Sequence, residues 1–519
     1  MRGTVRALRH LAALTRIGIL LARYDALFPL RKLAGGTALL VALRLVVWPT
    51  SAVRGRRPGE RLALAFHRLG PGFVKLGQAL STRPDLLGEA MAADLSALQD
   101  RLPPFPAEQA IATIEAELGQ KLDALFSFFD AEAVAAASVA QVHFAVTAEG
   151  EEVAVKVLRP GVEEAFGRHV DLLFWLAQGV ERWQPSLRRL KPVETVRRLQ
   201  AMVDFEMDLR LEAAAASEIA GNFKGDPEFR VPAVDWRRTG RRVLTTERVV
   251  GIPVHERDAL IAAGHAPRDI VAKAARVFFS MVFRDGLFHA DLHPGNLFVG
   301  PDGAVIAVDF GIIGRLDRRH RFYLADMLRG FLTGDYRLVA QIHFDAGFVP
   351  TNQSIEAFTQ ACRSIGEPLL GRPLEEISIA RLLSQLFEIT RKFEMEAQPQ
   401  LLMLQRTMVL AEGLGRSLDP SVNMWVLAQP LIEDWMRVYR SPPARAAIAA
   451  TEAARALERL PHLLGDLADF ADELTRGGLR LHPDTVRAMA GRQPGAGLAL
   501  PLWLIALALL ALLALRLSG

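Results

Sequence analysis

The spacing of apolar residues changes along the chain, and each change predicts a different kind of local structure. From about residue 60 to 120, apolar residues recur at helical spacing, with breaks at Gly70-Pro71-Gly72 and at Pro103-Pro104. From about 121 to 250, β-branched runs at 152–157 and 241–246 stand between long helical segments. These runs predict the strands of a small sheet.

Helices dominate from about 251 to 445, with one short exception. Residues 297–299 and 305–308 are apolar and β-branched, and Pro301-Asp302-Gly303 between them is typical of a tight turn. We therefore predict a two-stranded hairpin inside a helical region. A small sheet followed by a mostly helical region indicates an α+β fold.

The carboxyl-terminal end contains the longest apolar run, at 498–515, which only Pro501 interrupts. Eighteen helical residues extend about 27 Å, close to the roughly 30 Å hydrocarbon core of a bilayer. We predict a transmembrane anchor at 495–516, and a buried soluble helix is the alternative. A second apolar stretch, 37–49, is too short to cross and is predicted to pack at the membrane interface.

Positive charge is concentrated near the amino terminus, although the net charge of the chain is only +4. The first sixty residues contain eleven lysines and arginines and two acids, in a leucine-rich context. This composition is typical of amphipathic helices on an anionic membrane surface, and a solvated basic tail is the alternative. The total charge gives no indication of nucleic acid binding.

Flanking charge and cysteine content indicate where the protein resides. Arg487 and Arg492 precede the apolar run and only Arg516 follows it, so the large amino-terminal part is predicted to stay in the cytoplasm. No convincing secretory signal is present. The single cysteine, Cys362, excludes disulfide frameworks and is interpreted as a small core residue in a reducing compartment.

The most informative letters are HADLHPGN at 289–296, followed by Asp-Phe-Gly at 309–311. Phosphoryl transfer requires a carboxylate beside the attacking hydroxyl and oxygen ligands that hold magnesium against the phosphates. Asp291 is the candidate catalytic carboxylate, and Asn296 and Asp309 are the candidate magnesium ligands. The predicted hairpin between the two motifs would bring their loops side by side.

Three upstream features suit the same chemistry. Val-Ala-Val-Lys ends at Lys156, in the form of the kinase strand whose lysine contacts the α- and β-phosphates. An alanine run at 135–138 stands where a kinase would have its glycine-rich loop, and an alanine-rich helix start is the alternative. Glu212 is the predicted carboxylate partner of Lys156. Asp208 lies four positions before it, on the same predicted helix face, and a simple pair between Glu206 and Arg210 remains open.

With these residues in hand, the chain resembles the UbiB family of atypical protein-kinase-like proteins, which support ubiquinone (coenzyme Q) biosynthesis. The resemblance runs from about residue 15 to about 440. Four motifs that ordinary kinases lack account for it: KxGQ at Lys75 and Gln78, the stretch AVAAASVAQVH at 133–143, ExD at Glu206 and Asp208, and QPQLLMLQRT at 398–407.

The resemblance implies a bilobal protein-kinase-like fold with an ATP and Mg²⁺ site. The expected units are basic membrane-proximal helices at 1–59, a helical extension at 60–120, an N-lobe at 121–250, a C-lobe at 251–445, a helical connector at 446–494 and the anchor. In this family the KxGQ helix closes over the cleft, so Lys75 would contact Glu206 or Asp208. The nucleotide would be lined by Val134, Ala135, Ala136, Ala137, Ser138, Val139, Ala140, Gln141, Val142, Lys156, Glu247 and Val249, with 247–249 forming the hinge.

Two features do not suit an ordinary protein kinase. The chain returns to helix by about Asp317 and no Ala-Pro-Glu follows, which leaves no room for a peptide-docking activation segment. His293 stands two residues after Asp291, where serine/threonine kinases have a permanently charged lysine.

The resemblance therefore implies an ATP-hydrolysing kinase-like enzyme that aids the ring-hydroxylation stages of ubiquinone biosynthesis by handling lipid precursors. Its expected partners are membrane lipids, polyprenyl quinone precursors and ubiquinone-biosynthesis enzymes, and a homodimer is possible. Two alternatives stay open. One is a small-molecule or lipid kinase of the aminoglycoside or choline kinase type, and the other is a nucleotide-bound pseudokinase scaffold.

Overall fold

The structure is a computed structural model that describes residues 2–27, 47, 49–81, 89–96, 103–137, 139–183, 192–367, 389–390, 392–395, 399–421, 424–439 and 450. The chain forms two compact units, Met1–Met436 and Arg437–Gly519. The predicted anchor at 495–516, nearly all of the connector at 446–494, most of the stretch at 37–49, and Ser138 lie outside the described residues. No helix within the described ranges is long and apolar enough to cross a bilayer.

Helices make up most of the described chain. In chain order they are α1 (Arg2–Arg23), α2 (Pro58–Leu69), α3 (Pro71–Ser81), α4 (Glu89–Ser96), α5 (Ala107–Leu118), α6 (Leu122–Leu125), α7 (Val162–Trp183), α8 (Pro192–Glu206), α9 (Leu209–Asn222), α10 (Arg257–Ala262), α11 (Pro267–Phe279), α12 (Arg318–Thr333), α13 (Tyr336–Asp345), α14 (Ile355–Gly366), α15 (Pro399–Leu418) and α16 (Met424–Tyr439). Short 3₁₀ turns occupy Ser51–Val53, Trp236–Arg238 and Pro294–Asn296, and a π-helical turn occupies Ser280–Asp285.

The strands are short and form three sheets. They are β1 (Phe126–Phe129), β2 (Ala135–Ala136), β3 (Ala140–Thr147), β4 (Glu152–Leu158), β5 (Phe229–Arg230), β6 (Val243–Glu247), β7 (Ile252–Pro253), β8 (Leu287–His289), β9 (Leu297–Val299), β10 (Val305–Ala307) and β11 (Ile313–Arg315). The sheet orders are β1-β3-β4-β6 with β2 beside β3, then β5-β10-β9-β7, and β11-β8.

The helical extension is built from α2 and α3, which meet at the predicted break. Gly70 there has a φ of 100°, a conformation that only glycine adopts cheaply, and Pro71 starts α3 with its φ already suited to a helix. Apolar side chains of α2, α3 and α4 share a core that includes Phe66, Phe73 and Leu95. The extension thus fixes the position of α3, which contains the KxGQ residues.

The first sheet is packed on both faces, and strand alternation decides which residues face which way. Odd-numbered positions such as Val155 and Val157 pack with α5 against Phe105 and Ile114. Even-numbered positions of the same strands, such as Leu158, pack with α9. Lys156 therefore points toward α9, the helix that contains Glu212.

Four of the eleven strands in the described residues were predicted: β4, β6, β9 and β10. The strand predicted at 152–157 ends at Leu158, and the one predicted at 241–246 begins two residues later and ends at Glu247. The predicted hairpin is present as β9 and β10. Strands β1 and β3 were not predicted individually. Strands β2, β5, β7, β8 and β11 were not predicted either, because two or three residues are too few to show an alternating pattern. Cys362 is buried, as predicted.

Candidate active site

Strand pairing brings the two motif loops together. β8 pairs with β11, and β9 pairs with β10, so the loop between β8 and β9 runs beside the loop between β10 and β11. Backbone hydrogen bonds join them, from Ala290 N–H to Ile312 O (2.9 Å) and from Val308 N–H to Asn296 O (2.9 Å). As predicted, the hairpin places the loop of Asp291 and Asn296 next to the loop of Asp309.

His289 joins the same two loops through its side chain. Nδ1 accepts the N–H of Asp291 at 3.1 Å, and Nε2 lies 3.2 Å from the carbonyl oxygen of Val308. A ring whose Nδ1 accepts must hold its proton on Nε2, so the imidazole is neutral. Burial also lowers the pKa of the His289 imidazole below its ordinary value. His289 thus has a structural role, because it holds the backbone of Asp291, the candidate catalytic residue, beside Val308.

Lys156 lies between two carboxylates. Its Nζ is 2.8 and 2.9 Å from the two oxygens of Glu212 and 3.0 Å from Oδ1 of Asp309. The predicted contact between Lys156 and Glu212 is confirmed. Strand β4, helix α9 and the loop after β10 thus converge on one ammonium group.

The three charges perturb one another strongly. The Lys156 ammonium lowers the pKa of Asp309 to about 2. Burial raises the pKa of Glu212 to about 7, and the nearby Asp309 charge acts in the same direction. Burial opposes the charge on Lys156, yet Asp309 and Glu212 together raise its pKa. The Lys156 ammonium and the Asp309 carboxylate therefore stay charged at neutral pH. A charged ammonium suits the binding of phosphates, and a charged carboxylate suits the binding of a metal ion.

The oxygen atoms of Asn296 and Asp309 have the chemistry of magnesium ligands. The Asn296 amide nitrogen donates to Asp291 O at 3.1 Å, which leaves its side-chain oxygen as an acceptor. Asp309 adopts a φ of 62°, a left-handed conformation that aspartate tolerates better than most residues. In the described ranges no three acidic, histidine or cysteine side chains form a metal cluster. Magnesium typically uses one or two carboxylates together with substrate phosphates, so these residues fit a nucleotide-bound ion.

The alanine segment forms strand β2 and then a tight turn closed by Ala137 and Ala140, which we call the alanine turn. Ala135 and Ala136 pair with Val142 and Gln141 of β3, and the Ala137 N–H donates to Ala140 O at 2.7 Å. The alternative of a helix start is therefore wrong. Val134 and Ala135 are exposed, Ala136, Ala137, Val139 and Val142 are partly buried, and Ala140 is buried.

The Gln141 side chain faces away from Lys156. Its amide donates to Phe105 O (3.2 Å) and accepts from Phe105 N–H (2.9 Å), and it also contacts His143 Nε2 at 2.8 Å. Gln141 is odd-numbered in β3, on the face that packs against α5. The structure thus does not bring this predicted nucleotide-lining side chain into the cleft.

Arg159 connects the alanine turn to the segment just before α5. Its Nη2 lies 2.9 Å from Pro103 O and 3.4 Å from Ala137 O, and its guanidinium stands 5.1 Å from the centre of the Phe105 ring. The Arg159 N–H also donates to Val139 O at 2.7 Å. Arg159 thus contacts both the alanine turn and the segment before α5.

The predicted hinge links the two larger sheets. β6 ends at Glu247, and β7, which pairs with β9, begins at Ile252, so residues 248–251 cross from one sheet to the other. Val249 is partly buried there. A side chain at Gly251 would lie 2.9 Å from the carbonyl oxygen of Val299, so the close approach of the strands requires glycine.

The KxGQ helix is joined to the ExD motif by an ion pair. Lys75 Nζ lies 3.0 Å from Glu206 Oε2, which confirms the predicted contact, and Gln78 is partly buried one turn further along α3. Asp208 instead caps α9 and pairs with Arg210 at 2.6 Å. The open alternative of a Glu206–Arg210 pair is wrong. Asp208 and Glu212 also do not share a helix face, because Asp208 lies before the first helical residue.

The last two residues of the QPQLLMLQRT motif lie at the catalytic loop. Arg406 Nη2 lies 3.9 Å from Asp291 Oδ1, and Thr407 Oγ1 lies 3.1 Å from Ala290 O. Both belong to α15, more than a hundred residues after the loop. No local pattern could have placed them there.

Comparisons with known proteins show the family of the chain. Residues 97–343 match the ABC1 atypical kinase-like domain, and residues 362–423 match the UbiB helical domain. A protein of Marinobacter nauticus named "Probable protein kinase UbiB" is 44% identical over 82% of this chain and 79% of its own. The chain belongs to the UbiB family. Proteins of the same name from Pseudomonas putida and Pseudomonas entomophila are 43% and 41% identical, over 80% and 91% of this chain and 78% and 88% of theirs.

As a UbiB-family protein the chain has the predicted kinase-like fold, and the ABC1 match covers every strand of the structure. The solved Rv3197–erythromycin complex from Mycobacterium tuberculosis is 28% identical, with a TM-score of 0.47, over 69% of this chain and 90% of that one. Arg406 and Thr407 fall within the part that matches the UbiB helical domain.

Proposed function

We propose that this UbiB-family protein is a magnesium-dependent, kinase-like ATPase. The observation that carries the proposal is the position of Lys156, which contacts both Glu212 and Asp309 beside the loop of Asp291 and Asn296. A buried amine, a metal-binding carboxylate and a catalytic-loop carboxylate in one cleft are the groups that phosphoryl transfer requires.

Each group has a role in the proposed reaction. Lys156 would bind the α- and β-phosphates, and Glu212 would keep its ammonium in place. Asn296 and Asp309 would hold Mg²⁺, which neutralises phosphate charge when bound. Asp291 would orient the attacking hydroxyl or water and accept its proton. The alanine turn and residues 247–249 would line the nucleotide.

The absence of a peptide-docking segment supports hydrolysis over protein phosphorylation. After Asp309 the chain forms only β11 before α12 begins at Arg318, close to the predicted return to helix at about Asp317. The buried pair of Lys75 and Glu206 fixes α3 next to the site, and partly buried Leu76 and Val139 pack against one apolar cluster. A helix packed beside the alanine turn leaves little room for a bulky acceptor.

We further propose that the protein acts at the bacterial inner membrane, with its catalytic part in the cytoplasm, in ubiquinone biosynthesis. Membership of the UbiB family supports this role. The basic helix α1 and the apolar run at 498–515 support membrane contact. Polyprenyl quinone precursors, membrane lipids and biosynthetic enzymes are the proposed partners, and ATP turnover would make precursors accessible to the enzymes of ring hydroxylation.

Nucleotide affinity tests the assigned pocket. Lys156→Ala should weaken Mg-ATP binding at least roughly tenfold, measured by calorimetry, because it removes a charge-assisted phosphate contact. Lys121→Ala is a matched control, since Lys121 also pairs with a glutamate (Glu115, 2.8 Å) but is exposed on the surface. Equal affinity of wild type and Lys156→Ala would remove the basis of the pocket assignment.

Quinone profiling of a deletion strain tests the pathway. The strain should lose ubiquinone, wild type should restore it, and Asp309→Asn should not. Asp258→Asn, at a fully exposed aspartate, is the control that should restore it. Normal ubiquinone in the deletion strain would refute the pathway role, and full rescue by Asp309→Asn would indicate a scaffold instead of an enzyme.

A further inference from the structure

The catalytic loop contains no permanent positive charge next to Asp291. The residue two positions on is His293, and its Nδ1 accepts the N–H of Gly295 at 3.1 Å. This contact occupies Nδ1 within the loop itself. The side chain is also turned back onto its own loop. The position that serine/threonine kinases fill with lysine therefore contains no permanent cation here.

A cation reaches the same carboxylate from a different part of the chain. Arg406 of α15 places Nη2 3.9 Å from Asp291 Oδ1. A guanidinium is charged at every physiological pH. The distance is too long for a hydrogen bond, so the two groups attract by charge and the N–H donors of Arg406 are not committed to Asp291. Within the described ranges, Asp291 is the one acid in ion-pair range of this guanidinium.

The neighbouring residue fixes the position of Arg406. Thr407 is fully buried, and its hydroxyl lies 2.9 Å from Met403 O of the same helix and 3.1 Å from the carbonyl oxygen of Ala290, the residue before Asp291. Leu404, Leu414 and Leu418 of α15 are buried as well. The helix is therefore anchored against the catalytic loop at the point where Arg406 leaves it.

We propose that Arg406 is a catalytic residue that supplies, from α15, the positive charge absent from the catalytic loop. Its guanidinium contacts the oxygens of the phosphoryl group during transfer and lies in ion-pair range of Asp291. With water as the acceptor, a bond forms between the water oxygen and the γ-phosphorus while the bond from that phosphorus to the β–γ bridging oxygen breaks. The water proton passes to Asp291, and ADP and phosphate leave. The inference rests on the proposed function, because it assumes that Asp291 serves phosphoryl transfer.

If the pair of Arg406 and Asp291 served only to stabilise the fold, removing Arg406 would lower thermal stability. The Arg406 and Asp291 side chains are 38% and 34% exposed. Partly exposed pairs at such a distance contribute little to folding. Removing Arg406 should therefore leave thermal stability nearly unchanged while turnover falls.

The experiment compares full-length wild type with Arg406→Ala, Arg406→Lys and Arg416→Ala, by phosphate release from Mg-ATP and by Mg-ADP affinity. Arg406→Ala should lower kcat about 100-fold and leave the Mg-ADP Kd and the thermal midpoint close to wild type. Added guanidinium ion should restore part of its activity. Arg406→Lys should lie between wild type and Arg406→Ala. Arg416 pairs with Glu412 at 2.8 Å on the same helix, and its loss should not alter kcat.

The outcomes separate this inference from the proposed function. If wild type neither binds nor hydrolyses Mg-ATP, the proposed function is wrong and the role of Arg406 is wrong with it. If wild type is active and Arg406→Ala keeps its kcat, the inference alone is overturned. It is also overturned if activity falls only in proportion to folded protein, without guanidinium rescue.

Discussion

The Lys75 ammonium lies 3.0 Å from the Glu206 carboxylate, and each side chain is only 8% exposed. Two charges taken out of water remain favourable only while they stay together. The pair also joins α3 of the extension to the end of α8, next to the candidate site. The Lys75 charge contributes to the low pKa of Asp309 as well.

We expect single changes in this pair to be costly and the double change to be milder. Lys75→Met should lower the free energy of unfolding by about 3–5 kcal/mol, because Glu206 loses its cation while still buried. Lys75→Met combined with Glu206→Leu should recover much of that loss. A double-mutant cycle from urea denaturation measures the coupling, and strictly additive effects would contradict a buried ion pair.

Glu212 should make stability depend on pH. Burial raises its pKa to about 7, above the ordinary value of 4.5, so the folded protein binds a proton that the unfolded chain releases. This contribution is complete below pH 4.5 and is lost as pH rises through 7, by up to roughly 3 kcal/mol. Urea midpoints between pH 5 and 8 should fall with pH in wild type and much less in Glu212→Gln. Equal slopes for the two proteins would show that Glu212 has an ordinary pKa.

Gln141 should affect stability and not nucleotide binding. Gln141→Leu leaves the Phe105 N–H and carbonyl without their partner on a buried face, at a cost of about 1–3 kcal/mol per group. Mg-ADP affinity at a temperature where the variant is folded should match wild type. A markedly weaker affinity would mean that this side chain reaches the nucleotide after all. Chemical denaturation and calorimetry on the same preparation check both parts.

Thr407 should influence turnover through the catalytic loop. Thr407→Val keeps the shape and removes the hydroxyl beside Ala290 O, so we expect about 1–2 kcal/mol of lost stability and a lower kcat with little change in nucleotide Kd. Thr407→Ser keeps the hydroxyl and should behave like wild type. A kcat for Thr407→Val equal to that of Thr407→Ser would show that the loop does not depend on this contact.

Much of the candidate site could be predicted because its residues are held by short motifs. Asp291, Asn296 and Asp309 are joined by one hairpin, and the β-branched strand that ends near Lys156 is long enough to recognise. The cap position of Asp208 also has a sequence signal, since an aspartate just before an apolar helical run is typical of an N-cap.

The rest depends on contacts that no local pattern encodes. The face to which Gln141 points follows from the register of β3 and from what packs on each side of the sheet. The approach of Arg406 to Asp291 follows from the packing of α15, far away in sequence. Sequence periodicity describes a helix or strand by itself, and such approaches between distant elements are decided only when the core assembles.

Arg159 has a practical consequence for work on fragments. Its guanidinium holds Pro103 O and Ala137 O at the same time and stands over the Phe105 ring. A fragment that starts after Phe105 would retain every described strand yet leave this guanidinium with one of these three contacts, the one to Ala137 O. The alanine turn of such a fragment would rest in altered surroundings, so nucleotide affinities measured on a trimmed domain would not transfer to the intact chain.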